Sequence, residues 1–221
     1  MPLSNLSLFE KLQHTFSKAT FRLPTFDLQP CLLCQTSRAK QHGVCHQCWQ
    51  TLPWKQQVIE RHEVACWVAC EYRFPMNRIL HAYKDQAQLQ YVDLLVACLL
   101  TMPKPRVQAI IPMPISTDKL IFRGFNQSEL LAQALSTAWQ LPIWRPISRE
   151  SGISQRGADR SERLVHAEAQ MMLNTTEKRY NSVLILDDVI TTGASVLAVK
   201  NLLTELGCSN VQVACLCDAR H

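Results

Sequence analysis

The segment from Val183 to Ser195, VLILDDVITTGAS, constrains the fold more than any other stretch of the chain. Its first four residues, Val183 to Leu186, are a continuous apolar run of the kind buried on both faces of a parallel sheet. Two adjacent carboxylates follow, Asp187 and Asp188. Next comes a hydroxyl-rich turn, Thr191, Thr192, Gly193, Ala194 and Ser195, and then an amphipathic helix. That order places two acids and a turn at the carboxyl end of a strand. There the next helix offers unpaired N–H groups and the positive end of its dipole, a natural seat for phosphate. The acids can accept hydrogen bonds from sugar hydroxyls while the turn surrounds the phosphate, so a sugar phosphate satisfies both halves. Asp, Ser and Thr also cap ordinary helices; the length of the ordered pattern is what favours a ligand.

This run resembles the phosphoribosyl-pyrophosphate (PRPP) motif of type I phosphoribosyltransferases. The resemblance implies that Asp187 and Asp188 accept hydrogen bonds from ribose hydroxyls, directly or through the water shell of magnesium. Thr191, Thr192, Gly193, Ala194 and Ser195 would hold the 5′-phosphate. By the same resemblance, the turn containing Met113 and Pro114 would face the pyrophosphate, with Lys84 and Arg123 neutralising its charge.

The chain's 221 residues allow one sizeable core plus a small appended module. Charged residues make up 19% and hydrophobic residues 47%, the balance of a soluble globular protein. No apolar stretch approaches the roughly 20 residues that a membrane span needs. No signal-peptide pattern stands at the amino end, so a cytoplasmic location is expected. A net charge of +5 permits contact with nucleic acid without demanding it.

Ten cysteines without a secretion signal favour metal binding and buried thiols over a disulfide framework. Four of them form matched pairs, Cys31-Leu-Leu-Cys34 and Cys45-His-Gln-Cys48. CxxC lets two thiolates from one tight turn share an ion, and a short hairpin between the pairs can return the second to the first. Four thiolates describe a closed structural zinc site with no position open for catalytic water. His42 and His46 are alternative ligands. A redox CxxC is the competing chemistry, although it ordinarily stands alone at a helix start. The module is too short for an apolar core of its own, so the metal would supply much of its folding free energy. Cys66, Cys70, Cys98, Cys208, Cys215 and Cys217 lie in apolar contexts and read as core.

Elsewhere the chain alternates strands and helices. A polar stretch from Lys55 to Glu63 precedes a strand near Val64–Tyr72. Apolar spacing predicts a helix over 87–100, a short strand at Ala109–Ile111, a helix from Gln127 to Trp139 and a last strand over Val211–Leu216. This pattern predicts an α/β fold, a mainly parallel sheet flanked by helices and preceded by the cysteine module. The expected division is 1–28 as a tail or short helix, 29–60 as the four-cysteine zinc-binding module and 61–221 as a phosphoribosyltransferase-like domain. In the tail, Leu6, Phe9, Leu12 and Phe16 have helical spacing. Residues 145–163 carry Arg145, Arg149, Arg156, Arg160 and Arg163. They read as a flap over the site, as a contact to pyrophosphate or a nucleic-acid backbone through Arg156, Arg160 and Arg163, or as a solvated face.

The cysteine module, His81-Ala-Tyr-Lys84, Pro112-Met-Pro114, Arg123-Gly-Phe-Asn-Gln127, Arg160-Ser-Glu-Arg163 and Asp187–Ser195 occur in one order. That series is similar to the ComF family. Asp85 departs from the pattern, standing where an aromatic residue is common. The resemblance implies a phosphoribosyltransferase-type fold used in natural transformation, where imported single-stranded DNA is handled on the cytoplasmic side. It also implies partnership with a ComFA-like helicase and other competence proteins, with peripheral membrane association through them. The cofactors implied are structural zinc and PRPP as ligand, with magnesium. No nucleobase pocket is visible in the sequence, which favours binding over turnover; an active phosphoribosyltransferase using an unidentified acceptor is the alternative.

Overall fold

The computed structural model describes residues 29–150, 171–174 and 179–219. Strands β1 (Trp54–Arg61), β2 (Val64–Glu71), β3 (Ala109–Pro112), β4 (Ile147–Arg149), β5 (Met171–Leu173), β6 (Ser182–Ile190) and β7 (Asn210–Asp218) are accompanied by six α-helices among the described residues. The helices are α1 (His46–Gln50), α2 (Met76–Asp85), α3 (Val92–Leu99), α4 (Thr117–Arg123), α5 (Gln127–Trp139) and α6 (Ala194–Glu205). The main sheet runs β1-β2-β7-β6-β3. Its last four strands are mutually parallel, and β1 is an antiparallel edge. β4 and β5 make a separate antiparallel pair.

Alternation along the strands divides the interior in two. On β6, Leu184 and Leu186 join Ala69, Cys70, Ile110, Ala214 and Leu216 under α2, α3 and α5. Val183 and Ile185 point the other way, joining Val64, Cys66, Val68, Ala109, Ile111, Val213 and Cys215 under α6. The apolar run that opens the phosphate motif is therefore unbroken because both of its faces are covered. Six of the ten cysteines, from Cys66 to Cys217, are buried within these layers.

One region differs from the sequence reading. The polar stretch after Trp54, to which the sequence reading gave no element, belongs to strand β1. As an edge strand it needs burial mainly at Trp54 and Ile59, while Gln56, Gln57, Val58 and Glu60 face water. A shift in register between Trp54 and Gln57, with Gln56 at φ +44°, interrupts the edge, which discourages pairing with another chain. The cysteine module, as its length implied, lacks an interior of its own: Cys31, Val44 and Leu52 enter the same buried cluster as α2, α3 and α5. Trp49 stacks edge-on against Trp54 at 4.8 Å, continuing that contact into β1.

Helix α5 starts where Asn126 accepts hydrogen bonds from the N–H groups of Ser128 and Glu129 through its Oδ1. Its buried face carries Leu131, Ala132, Leu135 and Trp139. Among the described residues, no helix is long and apolar enough to cross a membrane.

Candidate functional site

Parallel strands carry their loops out together at their carboxyl ends, and there β3, β6 and β7 enclose a cleft of about 380 Å³. Leu186 pairs with Pro112 across β6 and β3, and the Met113 N–H donates to the Leu186 carbonyl at 2.9 Å. This register sets the Met113-Pro114 turn directly beside the two acids. Lys84, Met113, Pro114, Arg123, Asp187, Asp188, Thr191 and Ser195 all line the cleft. Thr192, Gly193 and Ala194 complete the turn, where the Thr192 hydroxyl accepts from the Ala194 N–H at 3.3 Å. Gly193, at φ +87°, makes the left-handed step that starts α6. Arg156, Arg160 and Arg163 lie outside the described residues, as does the amino-terminal tail.

The two acids have different surroundings. Asp188 is nearly enclosed and lies 2.6 Å from the Lys84 ammonium, which projects from the last turn of α2. Asp187 reaches the cleft, and its Oδ1 accepts from the Ser128 hydroxyl and from the Asp188 N–H, each at 2.9 Å. Burial, reinforced by the neighbouring Asp188 charge, pushes the Asp187 carboxyl up to about 7. Lys84, the Asp188 N–H and Ser128 oppose that rise.

Three further residues shape the site, of which the sequence reading had placed only Arg149 near it, in the stretch read as a flap. Lys119 and Arg149 line the cleft. Burial lowers the Lys119 ammonium, and Arg149, Arg123 and Lys84 lower it further. Burial likewise lowers Arg149, while Asp187 opposes the shift. Four cations thus meet three carboxylates, Asp187, Asp188 and the Asp85 that pairs with Arg123, and the positive excess suits a polyanion. Ser128, 1% exposed, is the third residue, and only its tertiary contact with Asp187 marks it. A sequence signal existed for Lys119, which stands one helical turn before Arg123.

The segment from Arg123 to Ser128 ties these parts together. Arg123 pairs with Asp85 at 3.2 Å, and Asp85 also meets His81 at 2.8 Å. The Asn126 amide donates to the Met113 carbonyl at 3.1 Å. The Tyr83 hydroxyl donates to the Gln127 carbonyl at 2.8 Å, joining α2 to the start of α5.

In the amino-terminal module, the Sγ atoms of Cys31, Cys34, Cys45 and Cys48 lie within 4.8 Å of one another. Cys34 and Cys45 are 3.9 Å apart at sulfur, close to the roughly 3.8 Å edge of a tetrahedron with zinc–sulfur bonds of about 2.3 Å. The N–H groups of Leu33 and Cys45 point at Cys31 Sγ, and that of Cys48 at Cys45 Sγ. Hydrogen bonds from the Thr36 side chain and the Ser37 backbone lower the Cys34 thiol, while burial and contact with the other three sulfurs raise the Cys48 thiol. This donor set fits one metal ion. His42 stacks on Trp49 at 5.4 Å.

Fold and cleft together define a phosphoribosyltransferase-type protein, and residues 128–221 match the family described as Phosphoribosyl transferase domain. Similarity to individual proteins runs further along the chain. Competence protein F of Haemophilus influenzae is 30% identical over 184 residues, 76% of each chain. DNA utilization protein YhgH of Escherichia coli K12 is 25% identical over 201 residues, covering 85% of this chain and 83% of the relative. Competence protein ComFC of Streptococcus pneumoniae is 31% identical over 111 residues, about half of each chain. The chain belongs to the ComF family.

Proposed function

We propose that this protein binds PRPP in the cleft and serves natural transformation, supporting the uptake and handling of single-stranded DNA on the cytoplasmic side of the membrane. The observation that carries the reading is the convergence of two acids, a phosphate turn and four cations on one cleft. The 5′-phosphate sits in the Thr191–Ser195 turn at the start of α6, where amide N–H groups and the helix dipole favour a dianion. Asp187 and Asp188 accept hydrogen bonds from the ribose hydroxyls. The pyrophosphate lies against the Met113-Pro114 turn, its charge balanced by Lys84, Lys119, Arg123 and Arg149. Magnesium would be held mainly by the pyrophosphate oxygens and water, with the two acids meeting its water shell.

The role in DNA handling is supported by the relatives' names, competence protein and DNA utilization protein. The cysteine cluster holds structural zinc, and the protein works with a ComFA-like helicase and other competence proteins. The test replaces both acids, Asp187→Ala with Asp188→Ala. Transformation and PRPP binding are expected to be lost while bound metal stays at the wild-type level; normal transformation by a folded double variant refutes the proposal.

A second reading, an active phosphoribosyltransferase, draws support from the domain match and the complete Asp187–Ser195 motif. It requires acceptor-dependent release of pyrophosphate from PRPP. Binding of PRPP without release across a broad panel of nucleobases and related acceptors counts against it.

A further inference from the structure

The phosphate turn rests on a residue from the opposite edge of the sheet. A Cβ placed on Gly193 would lie 2.9 Å from Arg61 Cβ and 3.1 Å from the Arg61 carbonyl oxygen, so the turn is packed directly on the end of β1. Arg61 is held in place: its Nη2 donates to both carboxylate oxygens of Asp218, at 2.8 and 2.7 Å, and its Nη1 donates to the Glu60 carbonyl at 2.8 Å. Asp218, with its side chain 0% exposed, also takes Lys55 at 2.7 Å. It stands opposite Ile190 on the last rung of β6 and β7, immediately before the turn. Two cations, Lys55 and Arg61, share this buried carboxylate beside the phosphate turn. The Arg61 Nε is buried and has no hydrogen-bond partner. An unsatisfied buried donor is costly, and the side chain that carries it packs through its Cβ against the phosphate turn at Gly193.

We propose that Arg61 is a phosphate-binding residue of this site, clamped by Asp218 beneath Gly193 so that its unbonded Nε–H and its charge serve a 5′-phosphate in the Thr191–Ser195 turn. The inference rests on the PRPP reading and extends it. It means that the β1–β2 hairpin, which precedes the matched residues 128–221, completes the phosphate subsite.

The test is calorimetry on the full chain with two probes in magnesium buffer: ribose 5-phosphate, which carries the 5′-phosphate alone, and inorganic pyrophosphate. Arg61→Met should weaken ribose 5-phosphate by about tenfold, the scale of one charge-assisted hydrogen bond, and leave pyrophosphate within about twofold. Unchanged ribose 5-phosphate affinity overturns the proposal, and so does an equal loss of both probes, which marks Arg61 as a brace for the fold. If R61M lacks a cooperative melting transition, Arg61→Lys decides. It keeps the charge but lacks the guanidinium fork: a selective loss of about threefold or more for ribose 5-phosphate supports the proposal, and wild-type affinity overturns it. Should the wild-type protein bind neither ribose 5-phosphate nor PRPP, the PRPP reading fails first and the proposal falls with it, a result distinct from failure at Arg61 alone.

Discussion

The cysteine cluster and the phosphate cleft are built on opposite plans. All four thiols come from 18 consecutive residues, Cys31 to Cys48, held by local turns and the first turn of α1. The cleft takes its walls from residues spread between Tyr72 and Ala219. No cleft-lining side chain comes from the cysteine module, yet both regions are anchored in the same core layer through Leu52, α2 and α3. Proximity in sequence lets a metal order a short segment. Distance in sequence lets a folded core hold charges that would separate in a flexible chain. The two regions should therefore fail differently.

Loss of metal is the largest expected effect. Cys34→Ser with Cys48→Ser should remove the bound ion, which elemental analysis would show. Because metal binding and the folding of such a segment are coupled and the module joins the main core, the melting temperature should fall by on the order of 10 °C. Limited proteolysis should begin within residues 29–52. Pyrophosphate affinity measured below the new transition should stay within about threefold. Loss of affinity along with the metal would break the contrast and make the two regions one cooperative unit.

Next in size is the pH response of the cleft. The Asp187 carboxyl is raised from 3.8 to about 7 in the folded protein, so the native state keeps a proton that the unfolded chain gives up. Without ligand, stability from this group is greatest below about pH 4 and is lost as pH rises to about 7. Accepting ribose hydroxyls needs the ionised form, so PRPP affinity should rise across the upper part of the same window. Asp187→Asn should flatten both trends: the unliganded variant melts higher than wild type at pH 8, while its PRPP affinity is lower by about tenfold or more. Melting curves and calorimetry at pH 5, 6, 7 and 8 check both signs. An unchanged slope in the variant would assign the titration to another group.

The smallest effect sharpens the comparison within the cleft. Asn126→Ala removes a helix cap, costing about 1 kcal/mol or roughly 3 °C in melting temperature, and frees the Met113 carbonyl from its tie to α5. Pyrophosphate should bind about threefold more weakly and ribose 5-phosphate nearly as before, because the tie holds the turn after β3 and leaves the turn before α6 untouched. Equal losses of both ligands would show that the cleft responds as one rigid unit.

Local features were readable because their physics is local. An apolar run followed by two acids and a hydroxyl-rich turn carries strand, turn and helix in order, and CxxC spacing carries its own geometry. The helical period of Leu130, Leu131, Ala134 and Leu135 likewise located α5. Strand β1 was missed because an edge strand can be mostly polar, and α2 because Met76, Ile79, Leu80 and Tyr83 mark only one short stripe. Ser128 was missed because an isolated serine carries no pattern.

By itself, the sequence determined the strand–turn–helix unit that carries Asp187 to Ser195, the paired cysteine spacing, and an alternation that predicts a parallel sheet. Tertiary structure decided which charges meet. The order β1-β2-β7-β6-β3 brings Lys84 to Asp188, Ser128 to Asp187, and Arg61 beneath Gly193. Each of these contacts joins segments tens of residues apart, so it depends on crossovers and sheet order and leaves no periodic trace in the chain.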